Sequence, residues 1–86
     1  MRASHILVDS LEHAKSILAE ASPLNFGVLA KSHSKCPSSA RGGDLGDFGP
    51  GMMVKPFEDA TVSTPVGSIS QPVQTQFGYH LILRTG

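Results

Sequence analysis

The chain has 86 residues, which is enough for one domain with a modest core and too few for a large closed pocket. Its 7 basic and 7 acidic residues balance, so no strong field recruits nucleic acid or an anionic membrane surface. The single cysteine excludes an internal disulfide, and the sequence shows neither a signal-peptide pattern nor an apolar run long enough to span a membrane. We therefore expect one domain over residues 1–86 that is cytoplasmic and monomeric.

The beginning of the chain predicts a strand whose two faces differ. Residues 3–8 alternate, with His5 and Leu7 on one face and Ile6 and Val8 on the other. If the two β-branched residues face the core, the imidazole lies on the opposite face of the sheet.

Two helices are predicted after this strand. Asp9 and Glu12 have the spacing of a capping box. Apolar residues then recur at the helical period, at Leu11, Ala14, Ile17, Leu18 and Ala21. Ser22 and Pro23 end the first helix, and a shorter second helix is predicted from about residue 25 to residue 32.

Between residues 35 and 51 the composition shifts to Pro, Ser and Gly. The segment KCPSSARGGDLGDFGPG predicts a loop, a short strand over residues 44–48 and a turn. A phosphate-binding loop is disfavoured, because no Gly-Lys-Ser/Thr follows the glycines and no helix is predicted to begin there.

The last third of the chain predicts one helix and two strands. A helix begins at Pro56, a residue favoured in the first turn. A strand over residues 69–74, a bend over 76–78 and a final strand over 79–83 follow. The order strand, helix, helix, strand, helix, strand, strand is typical of an α+β domain.

His80 lies in the middle of the apolar stretch FGYHLIL. Tyr79, Leu81 and Leu83 form the richer face of this strand and are expected to cover the core, whereas Ile82 shares the face of the imidazole. Two histidines on non-core faces would line an open groove if the first and last strands were neighbours.

The two histidines and Cys36 allow several interpretations. Each histidine alone is most simply an ordinary half-buried side chain bonded to backbone. As a set, Cys36, His5 and His80 could form a zinc site with an open position, although the usual close pair of ligands is missing. A cysteine nucleophile with a histidine base is disfavoured, because no helix N-terminus is predicted after the thiol. The third interpretation is a hydrogen-bonded polar floor under an apolar cleft, with no covalent step.

Apolar side chains that could build such a cleft occur in the second half of the chain. They are Leu45, Phe48, Met53, Phe57 and Phe77. Met and Phe in a small domain belong by default to the core. Spacing alone does not decide between core and cleft.

Four separated blocks of the sequence together resemble the parvulin family of peptidyl-prolyl cis/trans isomerases. In chain order they are SHILV, CPSSARGGDLGDF, MVKPFEDA and TQFGYHLILRTG. The resemblance covers nearly the whole chain. It implies an FKBP-like superfold, a four-stranded antiparallel sheet surrounded by three to four helices, with the first and last strands adjacent in its middle.

The resemblance also implies roles for individual residues. His5 and His80 resemble the paired histidines of the family, and Thr75 resembles the hydroxyl that fixes the tautomer of one of them. Cys36 resembles a position that is cysteine in some parvulins and aspartate in others, which argues against a nucleophile. The implied walls of the proline pocket are Leu45, Met53, Phe57 and Phe77. No metal and no cofactor are implied.

The implied activity is rotation about X–Pro bonds in proline-containing peptides or unfolded proteins, without covalent chemistry. The segment VDSLEHAK after the first strand is short and acidic, with Asp9 and Glu12 and only Lys15 beyond them, so it does not suit a phosphate. We expect a preference for an uncharged residue before proline. The alternative is a non-catalytic domain that binds proline peptides or acts as a chaperone.

Overall fold

Four strands, three α-helices and one 3₁₀ helix make up the structure, a computed structural model that describes residues 1–86. In chain order they are β1 (Arg2–Val8), α1 (Leu11–Glu20), α2 (Phe26–His33), the 3₁₀ helix (Pro37–Arg41), β2 (Asp44–Asp47), α3 (Lys55–Ser63), β3 (Val73–Thr75) and β4 (Gly78–Arg84). The predicted α+β order is confirmed. None of the helices has the length and apolar character needed to cross a membrane.

The sheet places the two ends of the chain side by side. Its order is β2-β1-β4-β3, and every neighbouring pair is antiparallel. Across the central pair His5 lies opposite Ile82, and Leu7 lies opposite His80. Residues directly opposite share a face of the sheet. The two histidines are therefore diagonal neighbours on one face of the sheet, because the first and last strands are adjacent.

One face of the sheet carries the main hydrophobic core. Ile6 and Val8 of β1 and Leu81 and Leu83 of β4 point to this side. They pack against four buried side chains of the first two helices, which are Ala14, Ile17, Phe26 and Ala30. The predicted core faces of both central strands are confirmed.

The opposite face is more enclosed than the sequence suggested. A second core cluster joins Ala3, Phe48, Phe57 and Ile82 on this side. Phe57 projects from α3 and covers the strands, so the histidine face is not an open sheet surface. The groove expected beside the two histidines is present as a cleft that both of them line, and α3, a helix distant in sequence, covers the rest of that face.

Some element boundaries also differ from the prediction. The third strand covers only Val73–Thr75, and Ile69 makes a single bridge to Leu83 instead of beginning that strand. Pro72 lies between them and has no N–H to donate, which is why a continuous ladder does not form. In addition, a 3₁₀ helix begins at Pro37, where a loop was predicted. Proline is preorganised for the first turn of a helix, so this signal was present in the sequence.

Two glycines let loops approach the central strands closely. Gly43 has φ of 83°, and a Cβ there would lie 2.3 Å from the carbonyl oxygen of His5. Gly78 has φ of 139°, and a Cβ there would lie 2.5 Å from the carbonyl oxygen of Val8. Both positions require glycine for conformation and for space. They hold β2 and the start of β4 against β1, next to the two histidines.

Candidate active site

A chain of hydrogen bonds crosses the histidine face of the sheet. Nδ1 of His5 lies 3.0 Å from Nδ1 of His80, and the two rings are nearly parallel, at 16°. Nε2 of His80 lies 2.7 Å from Oγ1 of Thr75, which also accepts a hydrogen bond from the backbone N–H of Phe77. Three side chains from three strands therefore form one linear array.

The hydrogen-bond inventory of this array favours one tautomer. If the Thr75 hydroxyl donates to Nε2 of His80, then Nδ1–H of His80 donates to Nδ1 of His5. Only Nε2–H of His5 is then left without a partner, and this nitrogen is indeed buried and unpaired. The reverse assignment leaves both that nitrogen and the hydroxyl hydrogen unsatisfied. We therefore assign the direction Thr75 to His80 to His5.

Both imidazoles are held in the neutral form. Only 5% of His5 and 4% of His80 is exposed. Burial, followed by repulsion from the neighbouring His80, lowers the pKa of His5 to about 4. Burial also lowers the pKa of His80. A charged ring in this position would lose its hydration without gaining a carboxylate, which is the physical cause of both shifts.

Phe57 forms a common wall for the two imidazoles. Its ring meets His5 edge-on at a centroid distance of 5.5 Å and an angle of 81°, and His80 at 5.2 Å and 83°. The aromatic ring thus shields the histidine pair from water on the side of α3. It also sets the depth of the cleft above them.

An apolar cleft of about 500 Å³ lies over the histidine pair. Seven of the eight predicted site residues line it, namely His5, Cys36, Leu45, Met53, Phe57, Phe77 and His80. Thr75 does not line the cleft and stands behind His80 as its hydrogen-bond partner. Met52 and Phe77 are 68% and 59% exposed, so the cleft opens to solvent along their side.

Five cleft residues were not predicted from the sequence. They are Leu7, Lys35, Pro37, Met52 and Val54. A signal existed for Leu7, because strict alternation places it on the face of His5. The others follow from the path of loops that only the folded chain brings to the strands.

Cys36 reaches the cleft because the chain after α2 is tied to β1. The N–H of Lys35 donates to the carbonyl oxygen of Leu7 at 2.8 Å, and the N–H of Leu7 donates to Oγ of Ser34 at 3.0 Å. The backbone N–H of Cys36 also donates to Ser34 Oγ, at 3.3 Å. These bonds hold the half-buried Cys36 at the edge of the cleft, immediately before the 3₁₀ helix.

The Cys36 thiol makes no hydrogen bond to either imidazole, whereas the other three predicted polar residues form the array. A base adjacent to the thiol, which nucleophilic catalysis requires, is therefore not in place. The chain also contains no group of three or more His, Cys, Asp or Glu side chains arranged to hold a metal ion. The zinc interpretation has no ligand set in this fold.

Lys35 is the one basic residue that lines the cleft, and its charge is paired. Its Nζ bonds the Oδ2 of Asp9, which follows β1. Both side chains are largely exposed, so the pair forms part of the rim. The contact joins residues that are 26 positions apart, which explains why the sequence did not reveal it.

The family assignment rests on the sequence as well as on this geometry. A model of the rotamase family, described as the PPIC-type PPIase domain, matches residues 5–86. The chain belongs to the PPIC-type peptidyl-prolyl isomerase family. The resemblance to parvulins is confirmed, and the histidine array lies inside the region that matches the PPIC-type domain.

This chain matches PPIC-type relatives over nearly its whole length but spans different fractions of those proteins. The foldase protein PrsA of Geobacillus kaustophilus is 51% identical over 84 residues, which cover 95% of this chain and 30% of that protein. The peptidyl-prolyl cis-trans isomerase Pin1 of Digitalis lanata is 49% identical over 80 residues, which cover 91% of this chain and 68% of that protein. The chain thus spans less than a third of the PrsA relative.

A solved structure supports the fold of the PPIC-type domain. The solution structure of NmPin, the parvulin of Nitrosopumilus maritimus, superposes with a TM-score of 0.84 at 45% sequence identity. The match covers 100% of this chain and 95% of that one. The four-stranded sheet and its helices are therefore those of a parvulin domain.

Proposed function

We propose that this domain catalyses cis/trans isomerisation of X–Pro peptide bonds without forming a covalent intermediate. The observation that supports this most directly is the neutral, buried His5–His80 pair at the floor of an open apolar cleft. Rotation about a peptide bond has a barrier of about 18–20 kcal/mol because resonance is lost. The site therefore needs only to bind the twisted amide more tightly than either planar isomer.

The apolar walls act on the proline side of the bond. Leu45, Met53, Phe57 and Phe77 line the cleft, and we propose that they hold the pyrrolidine ring of the substrate. Gripping the ring immobilises one side of the amide while the other side turns. The walls also exclude water, which favours the twisted amide because its charge separation is smaller than that of the planar form.

The polar floor acts through fixed dipoles. Because Thr75 orients His80 and His80 orients His5, the imidazoles do not need to reorganise when the amide twists. Cys36 is proposed to place partial negative charge near the rotating bond from the cleft edge. The lack of a hydrogen bond from the thiol to either imidazole supports an electrostatic role for the thiol and not a nucleophilic one.

Exchange NMR on a short Ala-Pro peptide, with catalytic amounts of the protein, tests the activity. We expect the cis/trans exchange rate to rise in proportion to the protein concentration. Binding of the peptide without faster exchange would instead support the non-catalytic, peptide-binding alternative. Val28→Ala is a suitable control variant, because Val28 is exposed on α2 and outside the cleft.

We further propose a preference for an uncharged residue before proline. The positive charge of Lys35 at the rim is cancelled by Asp9, and no second basic residue lines the cleft to hold a phosphate. Asp9→Asn should raise turnover of a Glu-Pro peptide relative to a Leu-Pro peptide by about two- to fivefold, the range expected for an exposed charge pair. Faster turnover of a phosphorylated Ser-Pro peptide by the unaltered protein would contradict this preference.

The proposed partners are proline-containing peptides and unfolded proteins, and the proposed state is a cytoplasmic monomer. The free thiol of Cys36 supports a reducing compartment. Size-exclusion chromatography with light scattering measures the oligomeric state. Cell fractionation of the natural source measures the compartment, and recovery of the protein outside the cytoplasm would contradict the proposal.

A further inference from the structure

A second pair of histidines lies on the surface, away from the cleft. His13 is in the first turn of α1, and His33 is the last residue of α2. Nε2 of His13 lies 3.2 Å from Nδ1 of His33, and the two rings are nearly perpendicular, at 80°. Unlike the pair under the cleft, His13 is exposed and His33 is half-buried, and their contact lies at the surface, so a dissolved ion can reach it.

The separation of the two nitrogens suits two ligands of one metal ion. Imidazole nitrogens bind such ions at about 2.0–2.1 Å, and two of them 3.2 Å apart subtend about 100° at the metal. This angle lies between those of octahedral and tetrahedral coordination. Each metal–nitrogen bond would make an angle of about 40° with the line between the two nitrogens, so both rings must turn to direct their lone pairs at a common point.

We propose that His13 and His33 form a bidentate surface site for a late first-row divalent metal ion. Neutral imidazole favours Cu²⁺, Ni²⁺ and Zn²⁺, with Cu²⁺ bound most tightly of the series. No third His, Cys, Asp or Glu completes the site, so water fills the remaining positions. The site is therefore open and exchangeable, unlike a four-ligand structural zinc site.

Metal binding at this site changes the tautomers but not the net protonation. One hydrogen now lies between Nε2 of His13 and Nδ1 of His33. When the metal takes the place of this hydrogen, the ring that donated it keeps its proton on its other nitrogen. Nε2 of His13 and Nδ1 of His33 then both present a lone pair to the ion. The ion then links the beginning of α1 to the end of α2. Because an unfolded chain does not hold this geometry, metal binding stabilises the native state.

Isothermal titration with Ni²⁺ at pH 7.5, on protein without a polyhistidine tag, tests the proposal. Ni²⁺ is preferred as the probe because Cu²⁺ promotes oxidation of the free thiol of Cys36. We expect one ion per chain, and a rise in the melting temperature that Mg²⁺ does not produce. His13→Gln and His33→Asn place an amide where each ligand nitrogen lies, and each should weaken Ni²⁺ binding at least tenfold.

A second measurement locates the ion. Paramagnetic Ni²⁺ should broaden the amide NMR signals around residues 13 and 33 and leave those of His5 and His80 sharp. Broadening centred on the cleft would overturn the proposal. So would Ni²⁺ affinity that is unchanged in both variants, or the absence of binding at millimolar Ni²⁺. Melting curves of the two variants without metal control for loss of fold.

Discussion

The molecule contains two histidine pairs with similar contact distances and very different surroundings. The nitrogens are 3.0 Å apart in the His5–His80 pair and 3.2 Å apart in the His13–His33 pair. The first pair is buried beneath Phe57 and continued by Thr75, whereas the second is at the surface and has no such support. The same pairing of side chains is therefore buried and held by further hydrogen bonds in one place and reachable by solvent in the other.

The difference shows that the environment, and not the residue type, determines what an imidazole can do. Burial disfavours the charged form, so the inner pair stays neutral and its hydrogen bonds stay ordered. Water at the outer pair competes for those hydrogen bonds and also admits ions. Variants and conditions that act on one pair and not on the other can test this distinction.

The largest expected effect comes from removing the wall over the buried pair. Phe57→Ala leaves a cavity against both imidazoles and should lower the free energy of unfolding by about 3–5 kcal/mol, with loss of isomerase activity. Urea denaturation followed by circular dichroism measures the free energy of unfolding, and exchange NMR measures the isomerase activity. A variant that keeps full activity would contradict the role of this wall. Val62→Ala, on the exposed side of α3, is the matched control.

Acidification should weaken the buried pair next most strongly. The pKa of His5 is lowered from 6.5 in the unfolded chain to about 4 in the fold, so the unfolded chain takes up the proton first. Stability is full above pH 6.5 and falls as the pH decreases towards 4, by roughly 3 kcal/mol in total from this residue. Lowering of the pKa of His80 acts in the same direction.

NMR titration of the imidazole signals, with urea denaturation at pH 7 and pH 5, measures this effect. Between these values most carboxylates remain ionised, so the change reports on histidines. A His5 signal that titrates near pH 6.5 in the folded protein would contradict burial of the neutral ring.

Thr75→Val should have an intermediate effect. It removes the hydroxyl that orients His80 but keeps the shape of the side chain, so we expect a loss of about 1–2 kcal/mol of stability. Because Thr75 does not line the cleft, kcat should fall on the order of tenfold while KM changes little.

A second threonine provides the control for this variant. Thr64 Oγ1 donates to the carbonyl oxygen of Ala60 at 2.7 Å, away from the cleft. Thr64→Val should cost similar stability and leave kcat unchanged. Equal losses of kcat in both variants would show that Thr75 acts only through stability.

The smallest expected effect is at the surface pair. His13→Gln removes one exposed imidazole and should change the free energy of unfolding by less than about 0.5 kcal/mol in the absence of metal. Isomerase activity should stay unchanged, because His13 does not line the cleft. A large loss of stability would mean that the outer pair supports the fold as the inner pair does.

Much of the fold could be predicted from local patterns. Alternation along the first and last strands identified the core faces correctly, because Ile6, Val8, Leu81 and Leu83 all join the main cluster. The 3₁₀ helix after Cys36 was not predicted, because its Ser residues and the following glycines are typical of a loop. The third strand is shorter than predicted, because Pro72 has no N–H to donate and interrupts the ladder between Ile69 and Val73.

The candidate site was predicted residue by residue through the resemblance to parvulins, and not through spacing. Periodicity alone left Met53, Phe57 and Phe77 undecided between core and cleft. The fold makes Phe57 part of both, since it packs in the second cluster and lines the cleft. The pairing of Lys35 with Asp9 could not be predicted, because neither residue has a local signal for the other.

The sequence by itself determined which side of each central strand is apolar, because alternation is a property of neighbouring residues. Only the tertiary structure decided that His5 and His80 touch and remain neutral, and that the contact between His13 and the half-buried His33 lies at the surface. Contact between the first two requires pairing of residues 75 positions apart, and their burial requires α3 to lie over them. Such long-range contacts set the local hydration, and hydration determines the chemistry of an imidazole.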